Sequence, residues 1–237
     1  MKKMLLEITH DEIGEFLSRP NRYLAEVKIN DKVELVHVHD PGRLKELLLP
    51  NTKVYLKKAS NPNRKTSWDL IAVDNGGEKV LLNSAYHRYI AQAYLDDFTI
   101  SKFGKYNYLK PEMKYKDSRL DFYLENDKEK IWIEVKGCTL TVDDVALFPD
   151  APTKRGLKHL TELEELKKEN RAAIIILVFR KSEYFSPNFE TDVDFSEKLI
   201  EVSKNGVEVY PIQLEFKDDK IYYIKNLELH SFKEVNK

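Results

Sequence analysis

The run Asp121-Phe-Tyr-Leu-Glu-Asn-Asp-Lys-Glu-Lys-Ile-Trp-Ile-Glu-Val-Lys136 decides how the chain folds around its chemistry. Leu120, Phe122 and Leu124 alternate with polar or amphipathic residues, as do Ile131, Ile133 and Val135. Alternation of this kind marks half-buried strands. The polar stretch Glu125-Asn-Asp-Lys-Glu129 between them is turn material, so the two runs form a hairpin. Residues i and i+2 of a strand share a face. Glu134 and Lys136 therefore point away from Ile133 and Val135, with Asp121 on the polar face of the partner strand. Two carboxylates in that position suit Mg²⁺ or Mn²⁺, which take hard oxygen ligands together with water and phosphate oxygens. A lysine beside them suits charge developing on a phosphate. The competing reading is an exposed hairpin face whose opposite charges pair across the strands, each pair contributing about 0.2–1 kcal/mol.

Composition narrows the field. The chain has 237 residues, enough for one large or two modest domains with real cores. Thirty-nine basic and 40 acidic residues give a net charge of −1, so any phosphate-binding surface is a local patch. One cysteine, Cys138, excludes an internal disulfide framework and a cysteine zinc site. No apolar run approaches the ~20 residues of a membrane span. These features predict a cytoplasmic protein with no membrane partner.

Upstream of the hairpin, residues 1–84 read mainly as strands. Tyr23–Ile29 and Val33–Val38 flank the turn Asn30-Asp31, and Val54–Leu56, Leu70–Val73 and Val80–Leu82 follow. Arg43–Leu49 reads as a short helix before Pro50. Short strands at this spacing fit a five-stranded OB-like β-barrel. Lys57 and Lys58, then Arg64 and Lys65 in the loop 61–66, lie among Tyr23, Tyr55 and Trp68. Basic residues interleaved with aromatics suit a nucleic-acid track, against the alternative of core aromatics and a solvated lysine face.

Ser84 is placed to cap a helix to about Leu95, opening a second domain over 85–237. Residues 139–150 read as a loop. Pro152 and Thr153 start a helix whose Leu157, Leu160, Leu163 and Leu166 form an apolar stripe, with Arg155, His159 and Glu162 off it. Lys154, Arg155 and Lys158 near its N-terminus suit a phosphate, or else simply a solvated, well-capped helix. Ala172–Phe179 reads as a strand buried on both faces. A helix over Asp194–Lys204 and late strands over Val207–Phe216 and Ile221–Leu229 complete an α/β sheet. The histidines at 10, 37, 39, 87 and 230 read as surface or satisfied side chains, and Cys138 as structural.

Asp121 followed by Glu134-x-Lys136 resembles the PD-(D/E)xK nuclease pattern. The block Phe148-Pro-Asp-Ala-Pro-Thr-Lys-Arg-Gly-Leu-Lys-His-Leu160, with Ser118-Arg-Leu-Asp121 and Ile133-Glu-Val-Lys136, resembles the sugar fermentation stimulation protein A family. Asp40-Pro-Gly-Arg-Leu-Lys-Glu-Leu-Leu48, Arg64-Lys-Thr-Ser-Trp-Asp-Leu70 and Gly206-Val-Glu-Val209 match its other blocks. The resemblance implies an OB-like barrel followed by a PD-(D/E)xK nuclease-like α/β domain, and DNA binding with little sequence preference. It places Glu112, Asp121 and Glu134 as metal ligands, and Asp121, Glu134 and Lys136 as the catalytic set. Lys57, Lys58, Arg64, Lys65, Lys154, Arg155, Lys158 and His159 would then grip single- or double-stranded DNA. A homodimer is left open. Three readings follow: a divalent-metal nuclease, an inactive DNA-binding regulator linked to sugar metabolism, and an enzyme acting on a small phosphorylated compound.

Overall fold

The computed structural model describes residues 2–61 and 63–231. Met1, Pro62 and residues 232–237 lie outside the described residues, and with them the two ends of the expected domains and part of the 61–66 loop.

The chain opens with β1 (Lys3–Glu7), β2 (Glu12–Asn21), β3 (Leu24–Ile29), β4 (Lys32–His37), β5 (Lys53–Lys58), β6 (Trp68–Asn75) and β7 (Glu78–Leu81). Strand β2 pairs with β3 and β5, β3 with β4, and β5 with β6, all antiparallel. Val36 and His37 of β4 then pair in parallel with Trp68 and Asp69 of β6. That return closes the expected five-stranded OB barrel. Its interior is filled by alternating residues: Ala25, Val27 and Ile29, then Val54 and Leu56, with Leu70 to Val73. Gly14 lies where a Cβ would overlap Val27, so β2 and β3 cross closely there.

Three local expectations are corrected. Arg43–Leu49 is not a helix. Leu44 takes φ +50°, and its carbonyl accepts from the N–H of both Leu47 and Leu48 in an isolated turn. Leu44, Leu47 and Leu48 are all buried, so core packing overrides helical propensity. The cap at the next element is Asn83, whose side chain accepts from Ala85 N at 3.1 Å in a short 3₁₀ turn. Ser84 instead donates to the His39 carbonyl. Residues 139–150 carry two short strands rather than a plain loop, as described below.

The second half comprises α1 (His87–Asp96), β8 (Tyr108–Tyr115), β9 (Ser118–Glu125), β10 (Lys130–Cys138), β11 (Thr141–Val142), β12 (Val145–Phe148) and α2 (Lys154–Lys167). Then follow β13 (Arg171–Val178), β14 (Tyr184–Pro187), α3 (Val193–Lys204), β15 (Glu208–Lys217), β16 (Lys220–Asn226) and β17 (Glu228–Leu229). The main sheet runs β7-β15-β13-β10-β9-β8, so the barrel and the α/β unit share one continuous sheet. Strand β1 pairs with β16, tying the start of the chain to its far end. Strands β11, β12, β14 and β17 form a separate small sheet. The order β10, α2, β13, α3, β15 gives parallel neighbours at the centre, which need long crossovers. Ala172 to Val178 is buried throughout, as a strand covered on both faces must be.

Two cores result. One joins the barrel interior to α1 and one face of the sheet, through residues such as Phe122, Ile133, Val135 and Ile175. The other lies under α2 and α3, where Leu160, Leu163 and Leu166 meet Ile174, Ile176, Phe185 and Phe195. The site lies where β9 and β10 leave these cores.

Candidate metal and nucleic-acid site

The β9–β10 ladder pairs Lys130 to Ile133 with Glu125 to Phe122 and then stops. Beyond that point the Asp121 carboxylate takes over, accepting from Val135 N at 2.7 Å. A side chain has replaced a main-chain carbonyl, so the strands part and open a cavity. Glu134 and Lys136 share one face of β10, as period two dictates, and Lys136 Nζ contacts Glu134 Oε1. That same oxygen lies 2.5 Å from His159 Nδ1 of α2. Glu134 and His159 are 2% and 3% exposed, so this is a buried network, not a surface pair.

The other oxygen, Glu134 Oε2, is buried and has no hydrogen-bond partner among the described residues. Burying an unsatisfied carboxylate oxygen is costly. Burial pushes Asp121 up, to about 6, helped by the Glu134 charge and resisted by the Val135 N–H and by Lys136. Burial pushes Glu134 up as well, but Lys136 and His159 outweigh it and hold its carboxyl below its usual range. The two carboxylates raise each other's cost of ionisation, and a bound cation would remove that cost. Hard oxygens, an orphaned buried acceptor and mutual repulsion fit a divalent ion. Among the described residues no three His, Cys, Asp or Glu side chains converge on one point. The ion would thus rest on Asp121 and Glu134, completed by water and phosphate oxygens.

Glu112 falls across from Asp121 in the β8–β9 register, between Pro111↔Phe122 and Met113↔Leu120, but its carboxylate does not join the pair. It is exposed on edge strand β8 at φ +51°, with its carboxylate 3.8 Å from both Arg88 and Arg119. His159 is corrected too. It lies beneath Glu134 and orients it, rather than facing a phosphate. Arg155 is exposed on the first turn of α2, with Nε 3.4 Å from His159 Nε2. Lys154 and Lys158 are exposed on the same helix, and Lys158 reaches Glu162 at 3.7 Å. Thr153 caps that helix by accepting from Gly156 N.

On the barrel, Arg64 is committed in a fork to Asp69, with bonds of 3.0 and 2.6 Å. Lys57 donates to Thr9. Lys58 and Lys65 remain exposed. None of these four lines the cavity that holds Asp121 and Lys136.

That cavity encloses about 560 Å³ between the barrel and the α/β unit. Asp40, Pro41 and Gly42 come from the barrel side, and Leu147 to Thr153 from the other. The barrel loop is fixed by Arg19, whose guanidinium donates to the carbonyls of Gly42, Arg43, Arg22 and Asp40 at 2.7–2.9 Å. The two walls meet where Arg43 N donates to Asp150 Oδ2 at 3.0 Å. Burial, with Asp150 adding to it, pushes Asp40 up to about 6.

No motif or spacing marks Arg22, His87, Arg88 or Asp40 as residues of this cavity. One signal was present: a glycine inside a strand, Gly137, next to the catalytic candidates. A Cβ there would overlap the His87 ring, which stacks on Phe179 at 5.1 Å. Burial and the nearby Lys136 charge push His87 down to about 4, so its imidazole is neutral at pH 7. Gly137→Ala is expected to cost about 1–3 kcal/mol through this overlap, read as a lower midpoint in urea. An unchanged midpoint would mean that His87 moves aside freely.

Comparison with known proteins agrees with this architecture. A family model described as "Sugar fermentation stimulation protein RE domain" matches residues 85–220, and one described as "SfsA N-terminal OB domain" matches residues 17–82. A sugar fermentation stimulation protein homolog of Thermosipho melanesiensis is 48% identical over 226 residues, covering 95% of this chain and 97% of that one. The homolog of Methanosphaera stadtmanae is 44% identical over 235 residues, with the same coverage. A solved structure of Pyrococcus furiosus SfsA in complex with Ca²⁺ superposes with a TM-score of 0.88 at 25% identity, covering 96% of this chain and 99% of that one. Among the described residues no helix is long and apolar enough to cross a membrane.

Proposed function

The chain belongs to the sugar fermentation stimulation protein family, and from that membership and the site's geometry we propose that it binds DNA with little sequence preference and hydrolyses its phosphodiester bonds with a divalent ion. The observation that carries this reading is the buried, partnerless Glu134 Oε2, whose charge raises the neighbouring Asp121 carboxyl, with Asp121 and Lys136 lining a cavity edged by cationic side chains. The Pyrococcus furiosus relative was solved with Ca²⁺, a hard cation that takes oxygen ligands, which supports an ion here.

Asp121 and Glu134 would hold Mg²⁺ or Mn²⁺. The ion, when bound, supplies Lewis-acid polarisation of the phosphate and a more acidic water. The remaining work falls to the chain. His159 and Lys136 keep Glu134 in one orientation. Lys136, whose side chain is 18% exposed, faces the cavity and meets the negative charge that builds on the phosphate oxygens as water attacks phosphorus. Arg22, Arg88 and Arg155 line the same cavity and would hold flanking phosphates.

A second reading, a binder that does not cut, is favoured by one feature. Glu134 Oε1 is already satisfied by Lys136 and His159 without an ion. One experiment separates the two. Supercoiled and single-stranded DNA are incubated with Mn²⁺ or with chelator, and binding is titrated against salt. Backbone-driven binding loses affinity linearly in log salt, with a slope of about −0.7 to −0.9 per phosphate neutralised. Cleavage that depends on Mn²⁺ supports the nuclease reading. Binding without cleavage supports the second reading, and salt-independent binding sinks both.

A further inference from the structure

We propose that the cavity takes a single DNA strand rather than an intact duplex, with Tyr23 and Tyr89 stacking on the bases that flank the phosphate held inside. This deepens the nucleic-acid reading above and rests on it. Three observations carry it.

The carboxylates lie deep. Glu134 is 2% exposed, and Asp121 with the residues after Glu134, Val135 and Lys136, lines a cavity of about 560 Å³ walled by both halves of the chain. The walls are tied together by Arg43 N to Asp150, and the barrel-side wall is itself fixed by Arg19 to the carbonyls of the 40–43 loop. A phosphate that enters must bring its neighbouring nucleotides with it. Duplex DNA is stiff, with a persistence length of about 50 nm, and cannot bend one strand sharply into such a recess. A single strand can.

The rim carries two arginine–tyrosine pairs, one from each half. Tyr23, in the turn between β2 and β3, is 51% exposed, and Tyr89 on α1 is 49% exposed. The Arg22 guanidinium lies 6.0 Å from the Tyr23 ring centroid, and that of Arg88 lies 4.9 Å from the Tyr89 centroid. Arg88 Nη2 also donates to Tyr89 Oη at 3.1 Å, while its Nη1 lies 3.8 Å from Glu112.

Both arginines line the cavity, and each tyrosine ring lies within 6.0 Å of one of them. A single exposed tyrosine is ordinary. Two of them, each beside a cavity-lining arginine, match how single strands are gripped: cations follow the phosphates and rings stack on unpaired bases. In a duplex the bases already stack on one another and offer the rings nothing.

The test measures anisotropy of a labelled oligothymidylate and of a blunt duplex of equal length, in chelator so that nothing is cut. The strand should bind at least about tenfold more tightly than the duplex. Tyr23→Ala and Tyr89→Ala should each weaken the strand about tenfold, within the range of lost base stacking, and leave the duplex unchanged. Tyr→Phe at either position should restore strand binding. Thermal melts establish that each variant is folded. A duplex bound as tightly as the strand, or alanine variants that weaken both alike, would overturn this inference and leave the nuclease reading standing. Failure to bind either form would sink both.

Discussion

Glu134→Gln is expected to lower Mn²⁺-dependent cleavage by about 10³-fold, the scale of removing one preorganised electrostatic group from a reacting centre. Glutamine preserves the volume and can still accept from Lys136, so the fold should survive. What it removes is the anion. Glu134 Oε2 is the oxygen left without a partner, and an amide there is a poor ligand for a hard cation. Affinity for DNA should not fall, because the change deletes a negative charge that would face phosphate. The pairing of lost cleavage with retained binding distinguishes this outcome from general disruption. The check is single-turnover cleavage of a labelled oligonucleotide alongside anisotropy on the same preparation. Cleavage at the native rate in the variant would mean that the activity belongs elsewhere.

Asp121→Asn should make the ion-free protein more stable and abolish its stabilisation by ions. The Asp121 carboxyl is raised from 3.8 to about 6, by burial first and by Glu134 second. A raised carboxyl means the folded state holds a proton that the unfolded state has released. Stability therefore falls as pH rises between about 4 and 6, and the full cost is present above that window. A shift of this size corresponds to at most about 3 kcal/mol. Asparagine carries no charge yet can still accept from Val135 N. The melting temperature at pH 8 should thus rise by several degrees, at about 2–4 °C per kcal/mol for a chain of this length. Conversely, Mg²⁺ or Mn²⁺ at a hundredfold excess over its dissociation constant should add about 2.7 kcal/mol to the native protein, and nothing to the variant. Calorimetry with and without the ion decides the matter. A native melting temperature indifferent to divalent ions, with a variant no more stable than native, would remove the case for a shared ion.

These expectations depend on a site that is part local and part long-range. Asp121 and Glu134 belong to one hairpin, and their convergence followed from strand alternation. The third acidic candidate, Glu112, came from a family resemblance. It sits on the neighbouring strand, but its left-handed backbone and two arginine partners set it apart. The barrel lysines and Arg64 form a group by residue type alone. Residue type does not reveal that Arg64 is already spent on Asp69. His159 lies off the leucine stripe of α2 beside Arg155, which groups it with the residues expected to grip a phosphate. It is nevertheless buried, since β10 presents a carboxylate to that side of the helix and a hydrogen bond repays the burial.

Local sequence pattern specifies the hairpin at 120–135, the shared face of Glu134 and Lys136, the doubly buried strand β13 and the capped start of α2. Each is a matter of period two, period 3.6 or a capping side chain, and such rules act between near neighbours. That β4 closes on β6, that β1 joins β16, that Arg19 fixes the 40–43 loop and that His87 lies over Gly137 emerges from long-range packing. These contacts join residues tens to hundreds of positions apart. They are selected by which surfaces can be buried together and which buried polar groups can be satisfied, and no local periodicity records that choice.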